Sequence, residues 1–194
     1  MHDQLRKYIE TVSETTLPEA EFELLKKAFT PKKLRKKQYF LQEGEVCRYM
    51  AFIIRGAMRQ YSVDNKGVEH ILRFGIENWW MGDRESLTML TPSRYNIDAL
   101  EESELLLVTN AQMQELILAS PPVARTVRIM DERSQIASQK RIHASISYTA
   151  EERYLDLQKT NPVFLQRFPQ NMIASYLGIS PETLSRIRKQ ALPK

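Results

Sequence analysis

Apolar residues first recur at helical spacing. Leu5, Ile9 and Val12 set that period, and Leu17-Pro18-Glu19-Ala20-Glu21 has the form of a second helix start, so residues 2–30 are predicted helical. From Lys37 to Val108 the pattern shortens to β-rich runs broken by turn residues. Tyr39-Phe40-Leu41 leads to Gly44, and Tyr49 to Ile54 leads to Gly56. Met58 to Val63 alternates and ends at Asp64-Asn65-Lys66-Gly67, a hairpin signal, after which Glu69 to Phe74 returns as the partner strand. Trp79-Trp80-Met81, Tyr95–Leu100 and Glu104–Val108 follow as apolar strand candidates. Seven or so short strands at regular spacing predict a sandwich or barrel. The basic run Lys32-Lys33-Leu34-Arg35-Lys36-Lys37 reads as a solvated face preceding a strand.

Residues 111–148 are predicted helical, with Pro121-Pro122 opening a segment free of Gly and Pro through Tyr148. Val123, Val127, Met130, Ala137 and Ala144 fit a 4-3-4 spacing, interrupted by Ser134 and Arg141. Such a pattern serves either packing on the helix's own domain or a two-chain coiled coil. The last residues form a small helical module: Glu151–Lys159, Pro169–Leu177, and a third helix from Ser180 to about Gln190. Strands gathered in one stretch and helices in others make this an α+β chain.

Charge sharpens the division. Residues 1–120 hold 16 Lys+Arg and 18 Asp+Glu, a net of −2, whereas residues 121–194 hold 12 and 6, a net of +6. That asymmetry suits a back part facing a polyanion, or a solvated basic helix surface. No apolar run approaches the roughly 20 residues of a membrane helix. The stretch MHDQLRKYIETVSE lacks the apolar core of a signal peptide, so the expectation is a cytoplasmic protein without membrane contact. Cys47 is the only cysteine, which excludes an intramolecular disulfide and a Cys-based metal site within one chain. His2, His70 and His143 offer no ligand pair, so no metal or cofactor is expected. The glycine-rich, P-loop, His-Glu-x-x-His and Gly-x-Ser-x-Gly signatures are absent, and the chain does not read as an enzyme.

The segment from Gln170 to Ile187 has the logic of a helix-turn-helix. Ala174 gives the small residue needed where two helices cross, and Gly178 gives the residue tolerant of positive φ at the turn. Ile173, Leu177, Ile179, Leu184 and Ile187 form the shared core. Ser180 is a good N-cap, Pro181 takes the first helical position, and Glu182 suits the positive helix end. Pro181, Glu182, Ser185, Arg186 and Lys189 are then left outward. Glu182 can accept from cytosine N4 and Arg186 can donate a fork to guanine. Gln170, Ser180 and Thr183 lie near helix N-termini, where phosphates bind, and Arg188 and Lys189 add positive charge. The bland alternative is a helical hairpin with a surface Glu–Arg pair.

The order of these parts resembles the cyclic-AMP receptor protein / fumarate–nitrate regulator (Crp/Fnr) superfamily, and Ser180-Pro181-Glu182-Thr183-Leu184-Ser185-Arg186 is similar to its recognition helix. The resemblance implies a cyclic-nucleotide-binding-like jelly roll over 1–120, a long dimerisation helix over 121–148, and a helix-turn-helix domain over 149–194. It also implies a DNA-binding transcription regulator acting as a homodimer on double-stranded DNA, with RNA polymerase as a further partner. Three departures accompany it. Pro181 stands where members often carry a basic or polar residue. The chain stops at Ala191-Leu192-Pro193-Lys194, where members continue into a β wing, so a truncated wing is expected. The family's ligand cassette, Gly-Glu followed by Arg-Ser, corresponds to Gly82-Asp83 and Arg94-Tyr95, with a shorter acid and a ring in place of a small hydroxyl. Ile136 and Ala137 stand where the long helix would offer a hydroxyl to adenine. Cyclic AMP is therefore not the expected effector; were an anion bound in the jelly roll, Arg94 would meet it. The rival reading is a cyclic-nucleotide sensor whose C-terminal helices make protein contacts.

Overall fold

A computed structural model describes residues 1–191, and these form two compact units. The first comprises Met1–Ser62 with Arg73–Glu132; the second comprises Val63–Leu72 with the chain from Arg133 onward. The end of the chain, and with it the expected truncation of a wing, lies outside the described residues.

The first unit opens with α1 (His2–Ser13) and α2 (Glu19–Ala28). Leu5 and Ile9 are buried one turn apart, and α1 ends where Glu14 turns left-handed at φ 55°. Eight strands follow: β1 (Thr30–Leu34), β2 (Tyr39–Leu41), β3 (Met50–Arg55), β4 (Met58–Val63), β5 (Glu69–Gly75), β6 (Trp80–Met81), β7 (Asn96–Ala99) and β8 (Ser103–Val108). They form two four-stranded sheets, β1-β8-β3-β6 and β2-β7-β4-β5. In the first, Phe52 pairs with Leu106 and Ile53 with Leu105, so side chains alternate between two apolar layers. Phe52, Ile54, Trp80, Leu106 and Val108 meet α1, α2, α4 (Asn110–Ala119) and the start of α5 (Pro121–Ser147). Ala51, Ile53, Met81 and Leu105 face the opposite way, onto Leu41, Met58, Ile97 and Ala99 of the second sheet. Burial on both faces is why β3 and β8 read as continuous apolar runs rather than alternating ones. Phe52 lies 5.1 Å from the rings of both Tyr8 and Trp80; truncating it to Ala would remove about 3–5 kcal/mol.

The structure departs from the sequence reading at three elements. The basic run begins inside a strand: Thr30–Leu34 pairs along β8 from Thr30–Leu107 to Leu34–Ser103. Its lysines point outward at the sheet edge, where charge deters further pairing, and only Leu34 enters the core. Two short helices were not anticipated, α3 (Arg84–Met89) and α7 (Pro162–Arg167).

In the second unit, α6 (Ala150–Thr160) starts at a capping box in which Thr149 and Glu152 each satisfy the other's backbone N–H. The α7 helix, then α8 (Gln170–Leu177) and α9 (Pro181–Ala191), complete the helical module.

Candidate nucleic-acid interface

The helix-turn-helix rests on the residues that its sequence logic named. Ala174 is wholly buried, as a close helix crossing requires, and Gly178 adopts φ 66°. The Ile179 N–H donates back to the Ala174 carbonyl at 3.0 Å, closing a Schellman turn. Ser180 caps α9 by accepting the Thr183 N–H at 3.2 Å. Ile173, Leu177, Leu184 and Ile187 are buried, whereas Ile179 is only half-buried. Tyr154 and Leu157 of α6 and Phe164 and Phe168 at α7 are buried in the same module, a contribution that the motif alone does not reveal.

Leu184 and Ile187 face inward, so α9 turns a polar surface to solvent. Pro181, Glu182, Arg186 and Lys189 are exposed, and Ser185 is half-buried beside them. Among the described residues, Arg186, Arg188 and Lys189 have no carboxylate partner. Their charge is open to a ligand. Glu182 is turned toward the start of its own helix, where the backbone N–H and the Ser180 hydroxyl hold its carboxyl below the usual carboxylate range. It stays ionised while its oxygens remain at the surface. The Thr183 hydroxyl pairs with that of Ser180 at 3.1 Å, and Arg188 is half-buried. Gln170 is exposed as the first residue of α8, whose opening N–H groups have no side-chain cap.

The ligand cassette is arranged differently. Gly82 is buried where a Cβ would stand 2.5 Å from the Met50 sulfur. Asp83 is the N-cap of α3: Oδ1 accepts from the Glu85 and Ser86 N–H groups, and Oδ2 accepts from the Ser93 hydroxyl at 2.7 Å. Ser93 also accepts the Tyr95 N–H at 3.0 Å. Both carboxylate oxygens are thus engaged within the loop. Tyr95 is half-buried, and Arg94 is exposed without an ion pair among the described residues. Ser93, which the sequence reading passed over, is the residue that ties the two halves of the cassette. The described residues contain no group of three His, Cys, Asp or Glu side chains that could hold a metal ion, and no helix long and apolar enough to cross a membrane. Cys47 is buried, and desolvation pushes its thiol up.

Comparison with known proteins places this architecture. Residues 31–120 match the cyclic nucleotide-binding domain family. Over 169 residues the chain is 22% identical to the Lacticaseibacillus casei protein described as "Probable transcriptional regulator flp", covering 84% of this chain and 77% of that one. Among solved structures, FixK2 of Bradyrhizobium japonicum is 21% identical with a TM-score of 0.67, covering 84% of this chain and 83% of that one. The c-di-GMP-responsive regulator CLP of Xanthomonas campestris is 12% identical with a TM-score of 0.68, covering 89% and 91%. A domain matching that family is followed by a helix-turn-helix, and this is the fold of those solved regulators.

Proposed function

We propose that this protein is a sequence-specific, DNA-binding transcription regulator of the Crp/Fnr type, acting as a homodimer. One observation carries the reading: α9 stands on a buried core and presents Glu182, Ser185, Arg186 and Lys189 outward, its cations having no carboxylate partner among the described residues. A recognition helix in a major groove requires that arrangement. In this reading Arg186 and Glu182 meet base edges, with Ser185 beside them. Gln170, Ser180, Thr183, Arg188 and Lys189 lie along phosphates. A salt-dependent, sequence-selective shift of duplex DNA by the purified protein tests it; equal affinity for every sequence, or none, would refute it.

The dimer is assigned to α5, on a face other than the one its 4-3-4 spacing suggested. Val123 is buried, and Val127 and Met130 pack on the core around α1. Those positions serve their own unit. Ile136, Ile142 and Ile146 are instead exposed, and Ile129, Ile136 and His143 follow one another at intervals of seven, with Ile146 three further on. A second copy of the same helix covers such a stripe. RNA polymerase is the further partner of a regulator so bound. The jelly roll is assigned no cyclic-nucleotide chemistry, because Asp83 is already satisfied.

A further inference from the structure

The second unit contains a polar contact that neither the DNA-facing surface nor the packing core explains. The turn of the β4–β5 hairpin is braced from within: Asp64 Oδ1 accepts the Lys66 and Val68 N–H groups at 2.8 and 3.0 Å, and Oδ2 lies 3.0 Å from His70 Nε2. Beyond the turn, β5 is the last strand of its sheet, so among the described residues the backbone groups on its outer edge face no further strand. A serine on α8 takes the place of one. Ser175 Oγ accepts the Ile71 N–H at 2.9 Å and donates to the Glu69 carbonyl at 2.9 Å. Arg141 of α5 completes the contact: its Nη2 donates to the Ile71 carbonyl at 3.1 Å and to the Tyr176 carbonyl at 3.3 Å. Its guanidinium lies 4.3 Å from the centre of the Tyr176 ring. A hydroxyl is needed at position 175 because the site must both donate and accept. A planar fork is needed at 141 because it bridges two carbonyls while stacking.

We propose that Ser175 and Arg141 are positioning residues that clamp the first helix of the helix-turn-helix to the braced hairpin. Resting on the DNA-binding reading of α9, this makes the hairpin the fixed reference for the reading helix. The clamp grips α8 and leaves the outward side chains of α9 exposed, so it orients the reading surface without covering it. A dimer that must set two reading helices in successive major grooves gains from such a brace, since a loosely held module must be ordered when it binds.

The test uses the full chain and its own selected duplex. Ser175→Ala and Arg141→Gln should each weaken binding about tenfold, the scale of one or two lost hydrogen bonds. Because neither residue touches phosphate in this proposal, the slope of affinity against salt should not change. Ser175→Thr, which keeps the hydroxyl, should bind as the wild type does. Amide hydrogen exchange at Ile71 should accelerate in Ser175→Ala and stay slow in Ser175→Thr. Faster exchange at Ile71 with unchanged DNA affinity would overturn the positioning role, and unchanged exchange would overturn the contact itself. A salt slope lowered by about one in Arg141→Gln would reassign that arginine to phosphate and also overturn the proposal. Should the wild type bind no duplex, the DNA reading fails instead, and exchange at Ile71 still decides whether the clamp exists.

Discussion

Arg186 and Arg188 carry the same charge two residues apart, yet the DNA-binding proposal gives them different work. Two residues turn a helix by about 200°, so the pair cannot meet the same bases. Arg186 is exposed beside Glu182 and Lys189, whereas Arg188 is half-buried. Arg186→Ala should therefore cost about 1–3 kcal/mol on the preferred site and flatten the preference at one base pair per half-site. Arg188→Ala should weaken all sequences about equally and lower the salt slope by roughly one. Titrations of both variants on cognate and scrambled duplexes check this; equal loss for Arg186→Ala on both would refute the reading face. A different arginine carries weight in the fold. Arg59 donates to both oxygens of Asp98, at 2.8 and 3.1 Å, and both residues are buried. The guanidinium also lies 4.1 Å from the centre of the Tyr61 ring, and burial raises the Tyr61 hydroxyl well above its ordinary pKa. Asp98→Asn removes the carboxylate charge from this buried pair and should destabilise the chain by about 3 kcal/mol in urea unfolding.

Elements were legible in the sequence where one local rule governed them, and obscure where a residue served two. The turn of the helix-turn-helix was legible, because Ala174, Gly178 and Ser180 each answer a single steric or capping demand. The α3 helix is hidden because Asp83 reads as a ligand group beside Gly82, whereas its carboxylate caps the helix. Asn161-Pro162 marked the end of α6 and also, with Pro at the first helical position, the start of α7. The clamp had no local signal at all, since Ser175 and Ile71 are 104 residues apart. The α5 helix is the sharpest case. Its heptad spacing was real, but Val123, Val127 and Met130 pack on the chain's own core, and Arg141 further on is held by the Ile71 carbonyl. Spacing alone cannot tell a self-packed stripe from one awaiting a partner. The exposed stripe makes the claim testable: Ile136→Glu with Ile146→Lys should give monomers that bind DNA far more weakly while unfolding near the wild-type midpoint. Val127→Glu should instead lower stability with the dimer only secondarily affected. Sedimentation showing an intact dimer in the Ile136/Ile146 variant would count against the assignment.

At the scale of the whole molecule, the match of residues 31–120 to the cyclic nucleotide-binding domain family does not fix what the protein senses. To hold a ribose as the family's cassette does, Asp83 would have to release the Glu85 and Ser86 N–H groups that start α3, and the Ser93 hydroxyl as well. Losing an N-cap costs about 0.5–2 kcal/mol, and the buried Ser93 hydroxyl would give up its carboxylate acceptor while keeping its contacts to the Tyr95 backbone. A nucleotide would have to offset both before gaining any affinity. The phosphate end gains little either, since Arg94 is exposed and a charge-assisted contact there competes with water. Titration calorimetry with cyclic AMP and cyclic GMP should therefore show no micromolar binding, and neither nucleotide should alter DNA affinity. Asp83→Ala separates the two roles of that carboxylate. As a cap residue it should lower the unfolding free energy by about 1–2 kcal/mol and leave the nucleotide titrations as flat as those of the wild type. A micromolar Kd for either nucleotide, abolished by Asp83→Ala in a variant of undiminished stability, would show that the carboxylate serves a ligand and that α3 does not depend on it.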